Sequence, residues 1–268
     1  MSIETEPQKQ PYTLMELMIC AAAHLLEDNK TAVIGTGAPL AAAMLAQKTH
    51  APNLIILFEA GSMAPVLERL PISVAGSSTQ TRAILHSSMH DIMEACQRGA
   101  VDYAFLGGAQ IDAHGNLNST LIGEDYAHPK VRLPGSGGAN DLASLCWQTV
   151  TIMPHERRKF VQKVDFITTP GYLSGPGARE AAGLPPGSGP YKVISTLAIM
   201  GFDPDTCCMC VESLHPGVTR EQVSANTGFD LLFAARLETT SEPTGQELEI
   251  LREQVDPLGR IIGKAAKT

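Results

Sequence analysis

Two hydrophobic patterns alternate along the chain: short unbroken apolar runs, and apolar positions spaced three and four apart. Unbroken runs mark strands buried on both faces of a sheet, because a strand with one wet face would alternate apolar and polar. Such a run at Leu54–Phe58 predicts a buried strand, and Thr31–Ile34, Asp102–Leu106, Thr149–Met153, Asp165–Thr168, Lys192–Leu197 and Cys208–Glu212 are further strand candidates. The helical spacing begins at Thr13, a capping residue with Glu16 three positions on and Leu14, Leu17, Met18 and Ala21 as an apolar face. Further helices are expected at Leu40–Lys48, Ile92–Cys96, Asn140–Cys146 and Arg220–Ala225, with a longer one over Ser241–Val255. Strand–helix alternation of this kind predicts an α/β fold, an open and mostly parallel sheet with helices on both faces. Residues 1–12 are expected to form a flexible N-terminal tail and residues 13–268 a single domain. The Gly-, Pro- and Ser-rich stretch Leu173–Pro190 reads as a long surface loop within it.

Composition narrows the function classes. A chain of 268 residues with 44% hydrophobic and 18% charged residues suits one large folded domain. Its formal net charge of -8 argues against a nucleic-acid partner, since neutralising phosphates requires a basic patch. No apolar run approaches the roughly 18 residues needed to span a bilayer. Met1–Gln10 lacks the basic-then-apolar layout of a signal peptide. The 6 cysteines follow no disulfide framework and read as reduced thiols, so a cytoplasmic location is expected.

The most informative residue is Glu59. It closes the apolar run Leu54–Phe58 and is followed at once by Ala60-Gly61-Ser62. In open parallel sheets, ligands gather outside the carboxyl ends of the strands, so an acid there is a ligand contact, a reactive group, or a carboxylate that merely caps its turn. Dinucleotide binding is one rival: Gly35-Thr36-Gly37 follows a strand and Glu59 ends the next one. However, the third glycine of that fingerprint falls at Leu40, and Pro39 occupies the turn. Gly135-Ser136-Gly137-Gly138-Ala139-Asn140-Asp141 runs straight into a helix, and reads equally as an anion-binding turn or an ordinary glycine-rich connection.

Other polar clusters carry weaker signals. Asp112 and His114 precede Gly115-Asn116, whose chemistry favours a hairpin turn over an acid–base pair. His86 and His90 stand four apart, on one face of a helix if they share one, but lack a third ligand. If Cys207, Cys208 and Cys210 lie on a strand, the last two share a face, yet no matching pair stands at zinc-site spacing. No metal site is predicted. The run His155–Lys159 reads as a solvated basic loop or a subunit contact, with a clamp for cofactor phosphates as the alternative.

Taken in order, these motifs resemble the small, or B-type, subunit of glutaconate coenzyme A-transferase and its class I CoA-transferase relatives. The likeness rests on Gly35–Pro39, Ala46–Asn53, Phe58-Glu59-Ala60-Gly61, Gly108–Asp112 with Gly115-Asn116, Gly135–Asp141, His215-Pro216-Gly217-Val218 and Thr227-Gly228-Phe229, and spans about Thr13–Phe233. The resemblance implies that Glu59 is the nucleophile, carrying CoA as a glutamyl thioester between an acyl-CoA and a carboxylic acid, dicarboxylic or keto. It implies Gly137 and Gly138 as oxyanion donors, with Gly61, Gly35, Gly37 and Asn140 as substrate-binding positions, Gly61 leaving the approach to Glu59 open. It also implies coenzyme A as a co-substrate with no permanently bound cofactor, and a homologous A-type subunit as obligate partner. Relatives on this fold have turned to hydrolysis or decarboxylation of acyl-CoA, which remains an alternative, as does a non-catalytic CoA-ester-binding subunit.

Overall fold

The computed structural model describes residues 11–263. Residues 1–10 of the expected tail lie outside it, whereas Tyr12 is buried against Leu17 and Leu248 and the Pro11 carbonyl accepts from Arg252. In chain order, α1 (Leu14–Ala23) starts at the Thr13–Glu16 capping box and is followed by β1 (Thr31–Val33), α2 (Ala38–Lys48) and β2 (Ile55–Leu57). Then come β3 (Ser62–Met63), β4 (Leu85–His86), α3 (Met89–Gln97) and β5 (Tyr103–Leu106). Two small hairpins follow, β6 (Gln110–Ile111) with β7 (Leu117–Asn118) and β8 (Leu121–Ile122) with β9 (Val131–Arg132). The second half holds α4 (Ala139–Leu145), β10 (Gln148–Met153), α5 (Ala178–Ala181), β11 (Gly189–Ser195), β12 (Ala198–Phe202) and β13 (Met209–Leu214). It ends with α6 (Arg220–Ala225), β14 (Leu232–Thr239) and α7 (Gly245–Ile250).

One sheet dominates, in the order β14-β13-β12-β11-β10-β5-β1-β2-β3-β4. Its five middle strands, β11 to β2, are parallel, and antiparallel pairings extend the sheet at both flanks. Alternate side chains of the parallel strands feed two cores. Ile34, Ile56, Phe58 and Phe105 pack with α1 and α2 on one face; Val33, Leu57, Ala104 and Leu106 pack with α3 and α4 on the other. The register between β1 and β5 is pinned by Asp102, which accepts from the Thr31 amide (2.9 Å), the Thr31 hydroxyl (2.9 Å) and Lys30 Nζ (3.0 Å). No helix among the described residues is long and apolar enough to cross a membrane.

Departures from the sequence-based expectations have physical causes. Asp165–Thr168 is not a strand: Phe166 and Ile167 face solvent, and the segment instead pairs sideways through an isolated bridge between Thr169 and Leu117. β12 is the return arm of a tight hairpin from β11, so the apolar stretch Leu197–Phe202 forms a second strand, and β14 is a half-exposed edge strand whose apolar start gives way to Arg236 and Glu238. The long C-terminal helix starts late, where Thr244 caps it through Glu247, and opens into a wider turn over Leu251–Val255.

The basic run is the largest correction. His155 is buried, stacked on Phe160 at 3.8 Å between ring centroids. Its Nδ1 lies 2.9 Å from Ser195 Oγ and its Nε2 3.0 Å from Thr227 Oγ1. Ser195 extends the network, its carbonyl lying 2.8 Å from Nε2 of the buried His215. Only Arg157 and Arg158 are exposed, and Arg157 donates to the carbonyls of Ala225 and Thr227. Burial, reinforced by His215, pushes the His155 imidazole down from 6.5 to about 4. An unfolded chain therefore binds a proton at this residue in a pH range where the folded one does not. The stabilisation is fully present above about pH 6.5 and is lost as pH falls toward about 4. Its slope reaches about 1.4 kcal/mol per pH unit. Denaturant titrations at stepped pH are expected to show a shallower acid loss for His155→Gln than for the native chain across that window.

Candidate active site

Glu59 sits where β2 hands over to β3. Phe58 N donates to Ser62 O (2.9 Å) and Gly61 N to Phe58 O (2.9 Å), closing a tight turn with Glu59 and Ala60 at its tip. Gly61 makes that turn possible, with φ of +109°. A Cβ at position 61 would fall 2.1 Å from the Ser87 carbonyl, because Gly61 is buried against the strand-to-helix connection leading into α3. The expectation that Gly61 clears a path for substrate is therefore corrected: it clears a path for backbone.

The half-exposed Glu59 side chain lines a cleft of about 190 Å³ at the carboxyl ends of β1 and β5. Val33, Ile34 and Gly35 form one wall, Phe105, Leu106 and Gly107 a second, and Ser136–Ala139 the third. This is the switch point of the sheet, where the connections from β1 and into β5 lead to opposite sides. Among the described residues, the Glu59 carboxylate has no hydrogen-bond or ion-pair partner.

The third wall is held by a chain of polar contacts. Gly135 N donates to Ser119 O (2.8 Å) and Ser119 Oγ to Gly135 O (3.0 Å), fastening the loop from both directions. Asn140 Nδ2 donates to Thr168 O (2.9 Å), so Asn140 braces the start of α4. Arg179, buried and missed by sequence reasoning, donates to Ala143 O within α4, to Pro170 O and Gly171 O, and to Ser188 Oγ. The result sets Gly138 directly on Glu59: a Cβ at 138 would lie 2.7 Å from Glu59 Oε1 and 2.7 Å from the Met93 terminal methyl. The amides of Gly137 and Gly138 have no acceptor among the described residues. A free carboxylate beside unpaired amides, in a largely apolar cleft, can attack an electrophilic carbonyl and offer donors to the oxyanion that forms.

The remaining candidates separate. Gly35 lines the cleft, while Gly37 stands at the N-terminus of α2 with open space around it. Asp112 and His114 form the hairpin turn that the sequence favours, with Asp112 accepting from the amides of His114 and Asn116 and from Asn116 Nδ2. Burial pushes the Asp112 carboxyl up despite those donors. His86 lies on β4 and His90 on α3, so they do not share a helix face. Cys207 and Cys208 fall in the turn before β13, which carries only Cys210. No group of three or more His, Cys, Asp or Glu side chains able to hold a metal ion occurs among the described residues. Met93 was invisible to sequence reasoning, since only the packing of α3 on α4 brings it to Gly138 beside Glu59.

Residues 15–226 match the Coenzyme A transferase family. The chain is 40% identical over 242 residues to the B-type subunit of 3-oxoadipate CoA-transferase from Pseudomonas knackmussii, spanning 90% of this chain and 92% of the relative. It is 37% identical over 255 residues to the B-type subunit of glutaconate CoA-transferase from Acidaminococcus fermentans, spanning 92% and 93%. The crystal structure of glutaconate coenzyme A-transferase from that organism superposes with a TM-score of 0.90 at 34% identity, covering 96% of this chain and 100% of that one. A cholesterol ring-cleaving hydrolase subunit of Rhodococcus jostii is 28% identical over 229 residues, 82% of each chain.

The two neighbouring glycines are expected to respond differently to alanine. Gly138→Ala drives a methyl into the Glu59 carboxylate and is expected to lower turnover about a hundredfold through misplacement of the reacting group. Gly137→Ala meets open space and carries only the roughly 1–2 kcal/mol strain of its φ of +50°. Steady-state kinetics and thermal melts of the two variants separate these outcomes.

Proposed function

The chain belongs to the Coenzyme A transferase family, and from that premise we propose that it is the B-type subunit of a heteromeric CoA-transferase with Glu59 as nucleophile. A Glu59 oxygen attacks the thioester carbon of an acyl-CoA, and the C–S bond breaks to give a mixed anhydride and CoA thiolate. The thiolate then attacks the glutamyl carbonyl, releasing the first acid as carboxylate and leaving CoA as a thioester on Glu59. An incoming carboxylate reverses the two steps and departs as the new CoA ester. Splitting the exchange this way replaces one difficult displacement by steps between acyl derivatives of similar energy. Each step passes a tetrahedral oxyanion, for which the unpaired amides of Gly137 and Gly138 are the proposed donors, each worth about 3–4 kcal/mol.

The observation that carries this reading is the Glu59 carboxylate itself, without a partner among the described residues, half-exposed and seated against Gly138 at the carboxyl edge of the parallel strands. A structural acid that merely capped its turn would be hydrogen-bonded to that turn. Transferases at 40% and 37% identity, against 28% for the hydrolase subunit, support CoA transfer over acyl-CoA hydrolysis. The names of those two transferases support a dicarboxylic or keto-acid substrate.

A partner subunit is supported by size and surface. The cleft, at about 190 Å³, is smaller than the roughly 300–1,000 Å³ typical of a small-molecule site, so it holds the reacting end of a thioester and leaves the rest to other walls. The connection and strands after the Glu59 turn expose Val66, Ile72, Ile84 and Leu85, an apolar surface suited to burial in a heteromer. CoA enters as substrate with no resident cofactor, and the free state of all the cysteines supports a cytoplasmic location.

Glu59→Gln in the assembled complex is expected to lower label exchange between acyl-CoA and a labelled acid by on the order of a thousandfold or more. Near-native exchange in that variant would move the nucleophile to the partner, and full turnover by the purified chain alone would remove the heteromer from the reading.

A further inference from the structure

A transferase that stores CoA as a thioester on a carboxylate faces a competing reaction. Water attacks the glutamyl carbonyl, the C–S bond breaks, the water proton ends on the CoA thiolate, and Glu59 is regenerated with nothing transferred. What keeps this slow has to be found around the carboxylate. The cleft walls carry the apolar side chains of Val33, Ile34, Val74, Phe105, Leu106 and Leu142. Only Glu59 and Ser136 contribute polar side chains. An ordered water needs two to four hydrogen-bond partners, and beyond Glu59, Ser136 and the Gly137 and Gly138 amides that would face the oxyanion, the side chains of this lining offer none. Beside the carboxylate, the terminal methyl of the half-buried Met93 on α3 and Glu59 Oε1 both border the space that a side chain at Gly138 would fill, each 2.7 Å from the position of its Cβ.

We propose that Met93 is a specificity-determining residue, its terminal methyl crowding the space above Gly138 beside the Glu59 carboxylate so as to deny water a site from which to attack the glutamyl thioester. The inference rests on Glu59 as the CoA-carrying nucleophile and deepens that reading. An unbranched apolar side chain fits the irregular gap between Gly138 and the carboxylate without offering a strong hydrogen bond. Met93 does not donate or accept a proton in the transfer steps. Its effect is on the partition of the intermediate between acid and water.

The test reads that partition. The complex assembled with its partner is supplied with glutaconyl-CoA or 3-oxoadipyl-CoA, whichever the native complex turns over, together with the matching isotope-labelled acid. The ratio of free CoA released to labelled CoA ester formed is then measured. Because it is a ratio of products, it does not depend on the fraction of enzyme that folds. Met93→Gln, close in shape but hydrogen-bonding, is expected to raise the ratio at least tenfold, Met93→Ala to raise it by opening space, and Met93→Leu to leave it within twofold. A ratio within twofold of native in both the Gln and Ala variants overturns the proposal while leaving Glu59 as nucleophile intact. Labelled ester formed as fast by Glu59→Gln as by the native complex removes instead the reading on which the proposal stands.

Discussion

Position 138 must carry no side chain, and much of the molecule is arranged around that requirement. The Glu59 turn approaches from the β2–β3 connection and the α4 loop approaches from the far side of the sheet's switch point, so that a methyl at position 138 would clash with the carboxylate, 2.7 Å from its Oε1. Neither approach is free to drift. Gly61 lets the turn press backbone to backbone on Ser87, and the Ser119–Gly135 pair of hydrogen bonds fixes the loop. Asn140 and Arg179 then tie α4 to the Pro170–Gly171 region. A carboxylate held by packing, with no hydrogen-bond partner among the described residues, keeps its oxygens available for the bond formation proposed for Glu59.

The sheet supplies the rigidity beneath this contact. Five parallel strands buried on both faces hold the ends of β1 and β5 in register, with Asp102 fastening their opposite ends. Burial works to raise the Asp102 carboxyl, but the Thr31 amide and Lys30 together hold it below the usual carboxylate range. Farther along, the His155–Ser195–His215 network joins the ends of β10 and β11 to the segment following α6 with polar groups that must stay neutral. The sensitivity to acid originates in that network, where buried imidazoles have few charges to answer them.

What the sequence disclosed follows from which signals are local. Strands β1, β2 and β5 were legible because burial leaves short apolar runs, β10 and β11 because they are rich in β-branched residues, and α1 because its capping box is a four-residue pattern. Glu59 was legible as an acid at a strand end. β14 was not read as a strand, its apolar start running on into Arg236 and Glu238 along a half-exposed edge, and Asp165–Thr168 misled because its apolar side chains face outward. Gly61 and Gly138 stood out as glycines, yet the reason for each, Ser87 in one case and Glu59 in the other, depends on chain segments that meet only in the fold. His155 hid within a basic run, and Met93 and Arg179 had no local signature at all. Their roles are set by long-range packing that one sequence does not spell out.

The central claim is that CoA resides on the Glu59 side chain during turnover. Borohydride added to the assembled complex with acyl-CoA reduces a glutamyl thioester to the alcohol and expels CoA, leaving a permanent mass change. Peptide mass mapping is predicted to find that change on the peptide containing Glu59, and only when acyl-CoA is present. Reduction at a different carboxylate, or in the partner, while Glu59 stays unmodified and transfer proceeds, would contradict the account.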